Sequence, residues 1–392
     1  EGGAELIGSN HPTWVAYAKK FGLEFLDVTD YSQTRLVSPV HLGGKRLDAD
    51  AAEKLWEELE PLDRRMIEDA KAVVEDEPWK TPDAARLDAM SLADFVKGHD
   101  LSEMATALLR ADVESDNGQT LEKMSYLGQL TQIKGGGLEK FWEESEVYRC
   151  KGGNQQLAAK LAGQIGERLI SGSPASSVSI REGGVKVVHG DGRTLEADDV
   201  VLAVPPSVWG RIRFEPALPE MLRPQMGLNT KYLAEVKGRF WLAEKKSPEG
   251  FSDGAVAVTW EGTDAQPGEG PRLLVGFAGG PSAEKGLGFA KEGRDAAFTA
   301  EMSRLFDGYA ESFVRSRFMA WPQDPWTLAG YSFPAPGQVT TVGPVLRAGL
   351  HGRLHFAGEH ACYKFVGFME GALNSGVSVP RRIAERDGVR AL

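Results

Sequence analysis

Cysteine is scarce in this chain: Cys150 and Cys362 are the only two among 392 residues. They stand too far apart in sequence to suggest a disulfide framework or a clustered metal site, so no metal is expected. Two free thiols are compatible with a reducing, cytoplasmic location. Long apolar runs are lacking too. The longest cluster, around Val200, stops at Pro205-Pro206, well short of the roughly 20 apolar residues a membrane helix requires. Basic charge is in deficit, with 45 Lys and Arg against 56 Asp and Glu, a formal net charge of −11. That balance argues against nucleic acid as a partner, because phosphate binding needs basic patches. The chain opens on Glu1-Gly2-Gly3 without a methionine, so further residues, with any targeting segment, are expected before Glu1 in the natural protein.

What is present reads as an ordinary globular protein, 42% hydrophobic and 26% charged, long enough for two domains. Trp14, Tyr17, Ala18 and Phe21 recur at helical spacing after Pro12, and Gly22 closes that helix. The stretch from Leu47 to Glu75 has helical periodicity, and Ser91 and Ser102 open further helices. Gly135-Gly136-Gly137 reads as a glycine turn; it lacks the spacing of a phosphate loop. Gln155 to Ile165 is amphipathic, and a hairpin at Glu182-Gly183-Gly184 joins two alternating segments. Asp199 to Val204 is a buried strand. Further strands are expected at Tyr232–Val236, Ala255–Trp260, Arg272–Ala278 and Arg315–Trp321, with one helix over Asp295–Ala310.

The most informative stretch lies near the end. Leu354-His355-Phe356-Ala357-Gly358-Glu359-His360 is a short apolar strand and a small-residue turn. Gly367-Phe368-Met369-Glu370-Gly371-Ala372 then opens a helix on a glycine. In that layout backbone N–H groups at a helix start meet an electron-rich ligand edge. Pro380 is expected to kink this helix or to end it early.

The pattern F-A-G-E-H followed by G-F-M-E-G-A resembles the C-terminal signature of the flavin-containing amine oxidase family, which includes monoamine, polyamine and L-amino-acid oxidases. Other segments resemble the family in the right order. They are Glu1 to Gly8, Gly152-Gly153 to Leu157, Pro174-Ala175, Val201 to Pro206, Trp321-Pro322 with Asp324-Pro325, and Gly330-Tyr331. The resemblance implies an α/β fold: a Rossmann-like FAD-binding domain interleaved with an α+β substrate domain of mixed sheet and helices. The FAD domain would take residues 1–26, 150–221 and 324–392, and the substrate domain 27–149 and 222–323. One family element is not in this sequence, the N-terminal G-x-G-x-x-G unit that holds the pyrophosphate. The expectation is a longer natural protein, or a second chain that supplies the dinucleotide-binding unit. A homodimer is a further assembly left open.

The resemblance also implies roles for residues. Gly3, Ala4, Glu5, Ala175, Trp321, Gly358, Glu359, Gly367, Phe368 and Met369 would contact FAD. The N–H groups of Phe368 and Met369 would face the edge of the ring that becomes negative on reduction. Lys231 would act through a water at flavin N5 and assist reoxidation by oxygen, and Tyr331 and Phe368 would flank the amine. Where some members attach flavin through cysteine this chain has Gly330, so FAD would be noncovalent. Leu6 replaces the arginine with which the L-amino-acid branch holds a carboxylate, which favours a small-molecule amine as substrate, with oxygen as acceptor and hydrogen peroxide as product. Lys364 could serve a carboxylated substrate instead, and Glu5 could bind the second nitrogen of a diamine or polyamine or simply a nearby backbone group.

Overall fold

The computed structural model describes residues 1–29, 36–266, 268 and 270–389. Its largest sheet has seven strands in the order Phe313–Ala320, Asn229–Val236, Arg272–Gly279, Val258–Glu261, Gly250–Ser252, Val40–Leu42 and Lys45–Arg46. Asn229–Val236 lies between two antiparallel neighbours, with Lys231 opposite Phe277 on one side and Met319 on the other. Pairing on both edges is what the run Thr230–Val236 demands, since a doubly paired strand packed on both faces reads as nearly continuously buried. Trp241, Phe298, Met302 and Phe306 form the apolar layer against this sheet.

A second core is helical. The helix Ala49–Ala70 is capped by Asp48, whose side chain accepts from the Ala51 N–H. It lays Leu55, Leu59, Leu62 and Met66 along one face. These pack with Leu108, Leu121, Leu127, Leu130 and Ile133. The helix Tyr126–Gly136 at the centre is almost wholly buried. Gly135 and Gly136 belong to this helix, and Gly137 alone makes the turn, with φ +95°. The expected glycine turn is therefore shorter than the three glycines. A Cβ on Gly135 would overlap the Lys364 carbonyl, so that glycine serves close approach of the helix to the segment Tyr363–Phe365.

A four-stranded sheet, Arg193–Ala197, Gly184–His189, Ala175–Arg181 and Arg213–Glu215, contains the expected hairpin. Leu354–Phe356 pairs in parallel with Val200–Leu202, over a core of Trp209, Leu222, Val342 and Leu346. The strand expected to be buried over Asp199–Val204 is limited to Val200–Leu202 and is not buried throughout: Val201 is 43% exposed and Val204, beyond the strand's end, 39%. The helix Gln155–Ile165 spans the expected residues. Asp295–Ala310 divides into Arg294–Leu305 and Tyr309–Ser312.

The last helix runs from Met369 to Arg386 with Pro380 inside it, so the proline does not end it early. Packing holds it: its Glu370 is fully buried and accepts from the N–H groups of Thr13 (3.0 Å) and Trp14 (2.9 Å). Those are free donors at the start of the helix Pro12–Phe21. An anion at a helix N-terminus is favourable, and this one fastens the first helix to the last. Among the described residues no helix is long and apolar enough to cross a membrane, and no group of His, Cys, Asp and Glu could hold a metal ion.

Candidate active site

A cavity of about 640 Å³ lies between the seven-stranded sheet, the helical core and the C-terminal turn. Its size is that of a small-molecule site. Gly3, Ala4, Glu5, Leu6, Lys231, Trp321, Tyr331, Gly367, Phe368 and Met369 all line it, so residues spread from one end of the sequence to the other meet around one space. Ala175, Gly358, Glu359 and Lys364 do not line it.

Lys231 is 4% exposed, a position a lysine occupies only if its charge is met. Its Nζ donates to Glu5 Oε2 at 2.5 Å and to the Gly3 carbonyl at 3.0 Å, and lies 5.1 Å from the centre of the Trp260 ring. Glu5 Oε1 accepts from Arg149 Nε at 2.8 Å and from Trp260 Nε1 at 3.2 Å. Arg149 also donates to the Glu261 carbonyl and pairs with Asp264. Burial pushes the Glu5 carboxyl up, but Lys231 and Arg149 together outweigh it and hold it below the usual carboxylate range. Both oxygens are thus committed to side chains inside the protein. Glu5 is therefore placed neither for the second nitrogen of a diamine nor for a backbone group.

Trp321 follows the strand Phe313–Ala320, and its Nε1 donates to the Gly2 carbonyl at 2.7 Å. A Cβ on Gly3 would stand 3.6 Å from the Trp321 ring. The N-terminal backbone thereby lies against the indole, with Lys231 reaching the Gly3 carbonyl from the sheet.

Tyr331 donates from its hydroxyl to the Asp116 carbonyl and accepts from Asn229 Nδ2 at 3.1 Å. Phe368 meets His11 edge-on at 5.2 Å and Phe141 at 6.5 Å. Between them Gly367 has φ +83°, and a Cβ there would stand 3.2 Å from the Tyr331 ring. The Phe368 N–H donates to the Phe365 carbonyl at 3.2 Å, so it does not face a ligand as expected. That leaves Met369, the first residue of an 18-residue helix and part of the cavity lining, as the helix-start residue beside the cavity.

Glu359 lies behind the cavity lining. Its Oε2 accepts from the Gly367 N–H at 2.8 Å and the Ser332 hydroxyl at 2.8 Å, and its Oε1 from the Ser332 N–H at 3.0 Å. One enclosed carboxylate thus braces the residues adjoining Phe368 and Tyr331. Gly358 turns the chain with its N–H donating to Ser375 Oγ at 2.9 Å. Ala175 begins a strand opposite His189 in the four-stranded sheet. Lys364 turns away from the cavity: its Nζ pairs with Asp76 at 2.8 Å and lines a separate small depression. A lysine already matched by surface carboxylates is not available to a substrate in the main cavity.

Sequence reading passed over the acidic lining. Asp63, Asp112, Asp116, Glu146 and Glu249 face the cavity besides Glu5. All five come from segments outside the family motifs, and in sequence they have the look of solvated charges. Burial first, then repulsion from Glu249, Asp63 and Glu146, pushes the Asp112 carboxyl up to about 7. Burial, then Glu60, pushes Asp63 up to about 6. Asp116 and Glu146 are raised as well, chiefly by burial.

Comparison with known proteins decides the family. The model for flavin containing amine oxidoreductases matches residues 1–384. The chain belongs to the flavin-containing amine oxidoreductase family. Among curated relatives, an L-amino acid dehydrogenase of Synechocystis sp. is 24% identical over 337 residues, covering 84% of this chain and 69% of that protein. The flavin-containing amine oxidase B of Homo sapiens is 25% identical over 98% of this chain and 77% of its own. Cyclohexylamine oxidase from Brevibacterium oxydans superposes with a TM-score of 0.84 at 25% identity, over 98% of this chain and 87% of that one. A putrescine oxidase gives a TM-score of 0.87 at 22% identity over 98% and 88%, a likeness in fold. As a family member, this chain is a flavin-dependent oxidoreductase of mixed helix and sheet.

Proposed function

We propose that this amine oxidoreductase oxidises an amine to an imine, which water hydrolyses to an aldehyde or ketone, while oxygen is reduced to hydrogen peroxide. The observation that carries the reading is the meeting of Lys231, Trp321, Tyr331, Phe368 and Met369 around one cavity. The cofactor is proposed to be noncovalent FAD. The residues present fit its ring: Gly3 and Trp321 line the cavity side by side, and Met369 begins a long helix at it. A Cβ at position 330 would overlap Asn229 Oδ1, so a linking side chain there has no room. The chemistry a bound FAD would supply is acceptance of a hydride equivalent and its transfer to oxygen.

The chain's own residues then do four things. Tyr331 and Phe368 present ring faces to the amine nitrogen and keep water away from it. Met369 offers a helix-start N–H to negative charge, worth about 1–2 kcal/mol in a partly buried site. Lys231, held by Glu5 and the Gly3 carbonyl, keeps a positive charge and a donor beside the N-terminal backbone, where it would assist oxygen rather than take a substrate proton. Glu359 fixes the backbone on which both rings stand. An α-carboxylate on the substrate is disfavoured: among the described residues Lys231 is the only basic residue lining the cavity, and it is paired. The test is direct. FAD-loaded protein given amines and their α-carboxylated counterparts should release peroxide from the amines; no bleaching of the flavin spectrum by any amine would refute the reading.

The division into two interleaved domains is proposed with the same boundaries, 1–26, 150–221 and 324–392 for flavin, 27–149 and 222–323 for substrate. The core around Trp209 and Phe356 lies within or beside the first set and the core around Trp241 within the second. The helical core crosses the boundary, taking in Phe333, Val339, Tyr363 and Val366. A second reading, in which a further βαβ unit from this or another chain completes the nucleotide site, is favoured by the parallel pair Val200–Leu202 and Leu354–Phe356 with its exposed Val201 and Val204. Mass measurement and co-purification from the natural source test it.

A further inference from the structure

Resting on the proposed amine oxidation, we propose that the cavity selects amines that carry a second positive charge several bonds from the nitrogen being oxidised, and that Asp112, Asp116, Glu146 and Glu249 receive that distal charge. Six carboxylates line the cavity, and among the described residues only Lys231 lines it with the opposite sign. Glu5 cancels Lys231. The side-chain oxygens of Asp112, Asp116, Glu146 and Glu249 have no hydrogen-bond or ion-pair partner within the described protein, although burial is the largest influence on each. The surface they keep open is cavity surface.

These carboxylates are surrounded by protein yet not occluded: Asp112 is half-buried, and Asp116, Glu146 and Glu249 keep accessible surface; gathered in one cavity without partners they repel one another. Asp112 falls in a π-helical turn, Arg110–Glu114, and Asp116 in the helical turn that follows, Ser115–Asn117. Widened turns of this kind recur at functional sites because they re-aim side chains. The two aspartates are four positions apart, about 6 Å along a helix axis.

Their order relative to the aromatic pair gives the direction of the ligand. Asp116 accepts the Tyr331 hydroxyl at its carbonyl and, with Glu146, is among the charges acting on that tyrosine. Asp112 lies four positions away on the same segment, within the influence of Glu249, Asp63 and Glu146. Carboxylates thus continue from the Tyr331 side of the cavity along this segment. Apolar side chains of Leu59, Leu62, Phe95 and Val113 also line the cavity and suit the methylene groups between two ammonium centres. A single uncharged alkyl tail would leave the acids unmatched.

The test compares an α,ω-diaminoalkane with the 1-aminoalkane of equal chain length, using FAD-loaded protein for turnover and the full chain for calorimetric titration. The diamine should be preferred at least tenfold in kcat/KM and in affinity, more so at pH 8 than at pH 6 as the acids ionise. Asp112→Asn and Glu249→Gln should each reduce that preference at least fivefold, mainly through KM, without lowering Tm, since each removes an unmatched charge. Equal treatment of the two amines overturns the proposal, as does loss of both activities together with a lower Tm. Oxidation of the monoamine without diamine preference removes this site and leaves the proposed reaction standing. Tighter diamine binding with neither compound oxidised does the reverse.

Discussion

Nζ of Lys231 stands 2.5 Å from Oε2 of Glu5, and both side chains are almost wholly buried. The pair joins the second strand of the large sheet to the N-terminal backbone, and Arg149 meets the other Glu5 oxygen. Removing one partner of such a buried pair is destabilising because a charge is left behind. Here Arg149 remains to hold Glu5 after Lys231 is lost, so the remaining carboxylate is not orphaned. This separation makes Lys231 testable for chemistry as well as for folding.

Lys231→Met should keep the apolar stem and leave the fold intact at a cost of about 1–3 kcal/mol. Stopped-flow measurements on FAD-loaded protein should show reduction by amine within a few-fold of wild type and reoxidation by oxygen slowed at least tenfold. Equal slowing of both half-reactions would remove the role assigned to the lysine.

Glu359→Gln tests the brace between the two aromatic residues. A carboxamide offers one acceptor oxygen where the carboxylate offers two, so the N–H of Ser332 or of Gly367 loses its partner. A buried unsatisfied donor costs about 1–3 kcal/mol, measurable as a lower urea midpoint. Amine KM should rise several-fold as Tyr331 and Phe368 lose their fixed spacing. A wild-type KM with a lowered midpoint would limit Glu359 to a stability role.

Gly367→Ala places a Cβ against the Tyr331 ring at a backbone angle of φ +83°. Strain of that kind costs on the order of 1–3 kcal/mol. Thermal melting should show the loss, and FAD affinity should fall at least tenfold because the helix start shifts. Unchanged FAD binding would show that the helix start does not touch the cofactor.

The parts of the fold that could be read in advance are those whose residues announce local conformation. Ser91 and Ser102 cap helices where expected, and the hairpin at Glu182-Gly183-Gly184 forms where turn residues interrupt alternation. Element ends were less legible: the strand expected from Tyr232 begins at Asn229, because pairing with Gly279 extends it. The gathering of Lys231, Trp321, Tyr331 and Phe368 was legible only through motif resemblance. The partners that place them, Glu5 with Arg149 and Glu359 with Ser332, lie 144 and 27 residues apart and leave no periodic trace. The cavity acids were hidden for the same reason. Asp63 and Asp112 look like any charge on a polar helix face until the fold closes over them.

His11 yields the prediction with the clearest sign. Burial pushes its imidazole down to about 4 from an ordinary 6.5, and its Nδ1 accepts from the Gly8 N–H at 2.8 Å. The unfolded chain therefore binds a proton between pH 6.5 and 4 that the folded chain refuses, and folded stability must fall as pH drops through that window. The raised acids Asp63 and Asp112 act in the opposite direction over much of the same range, so the wild-type curve shows only a difference of effects. Comparison with His11→Gln isolates the histidine, since glutamine can still accept from Gly8 and does not titrate. The stability advantage of wild type over the variant should shrink by about 3 kcal/mol between pH 6.5 and 4, because each tenfold loss of proton affinity on folding is worth about 1.4 kcal/mol. Urea unfolding at half-unit pH steps measures it. A constant difference across the window would mean that His11 is not held neutral by its burial.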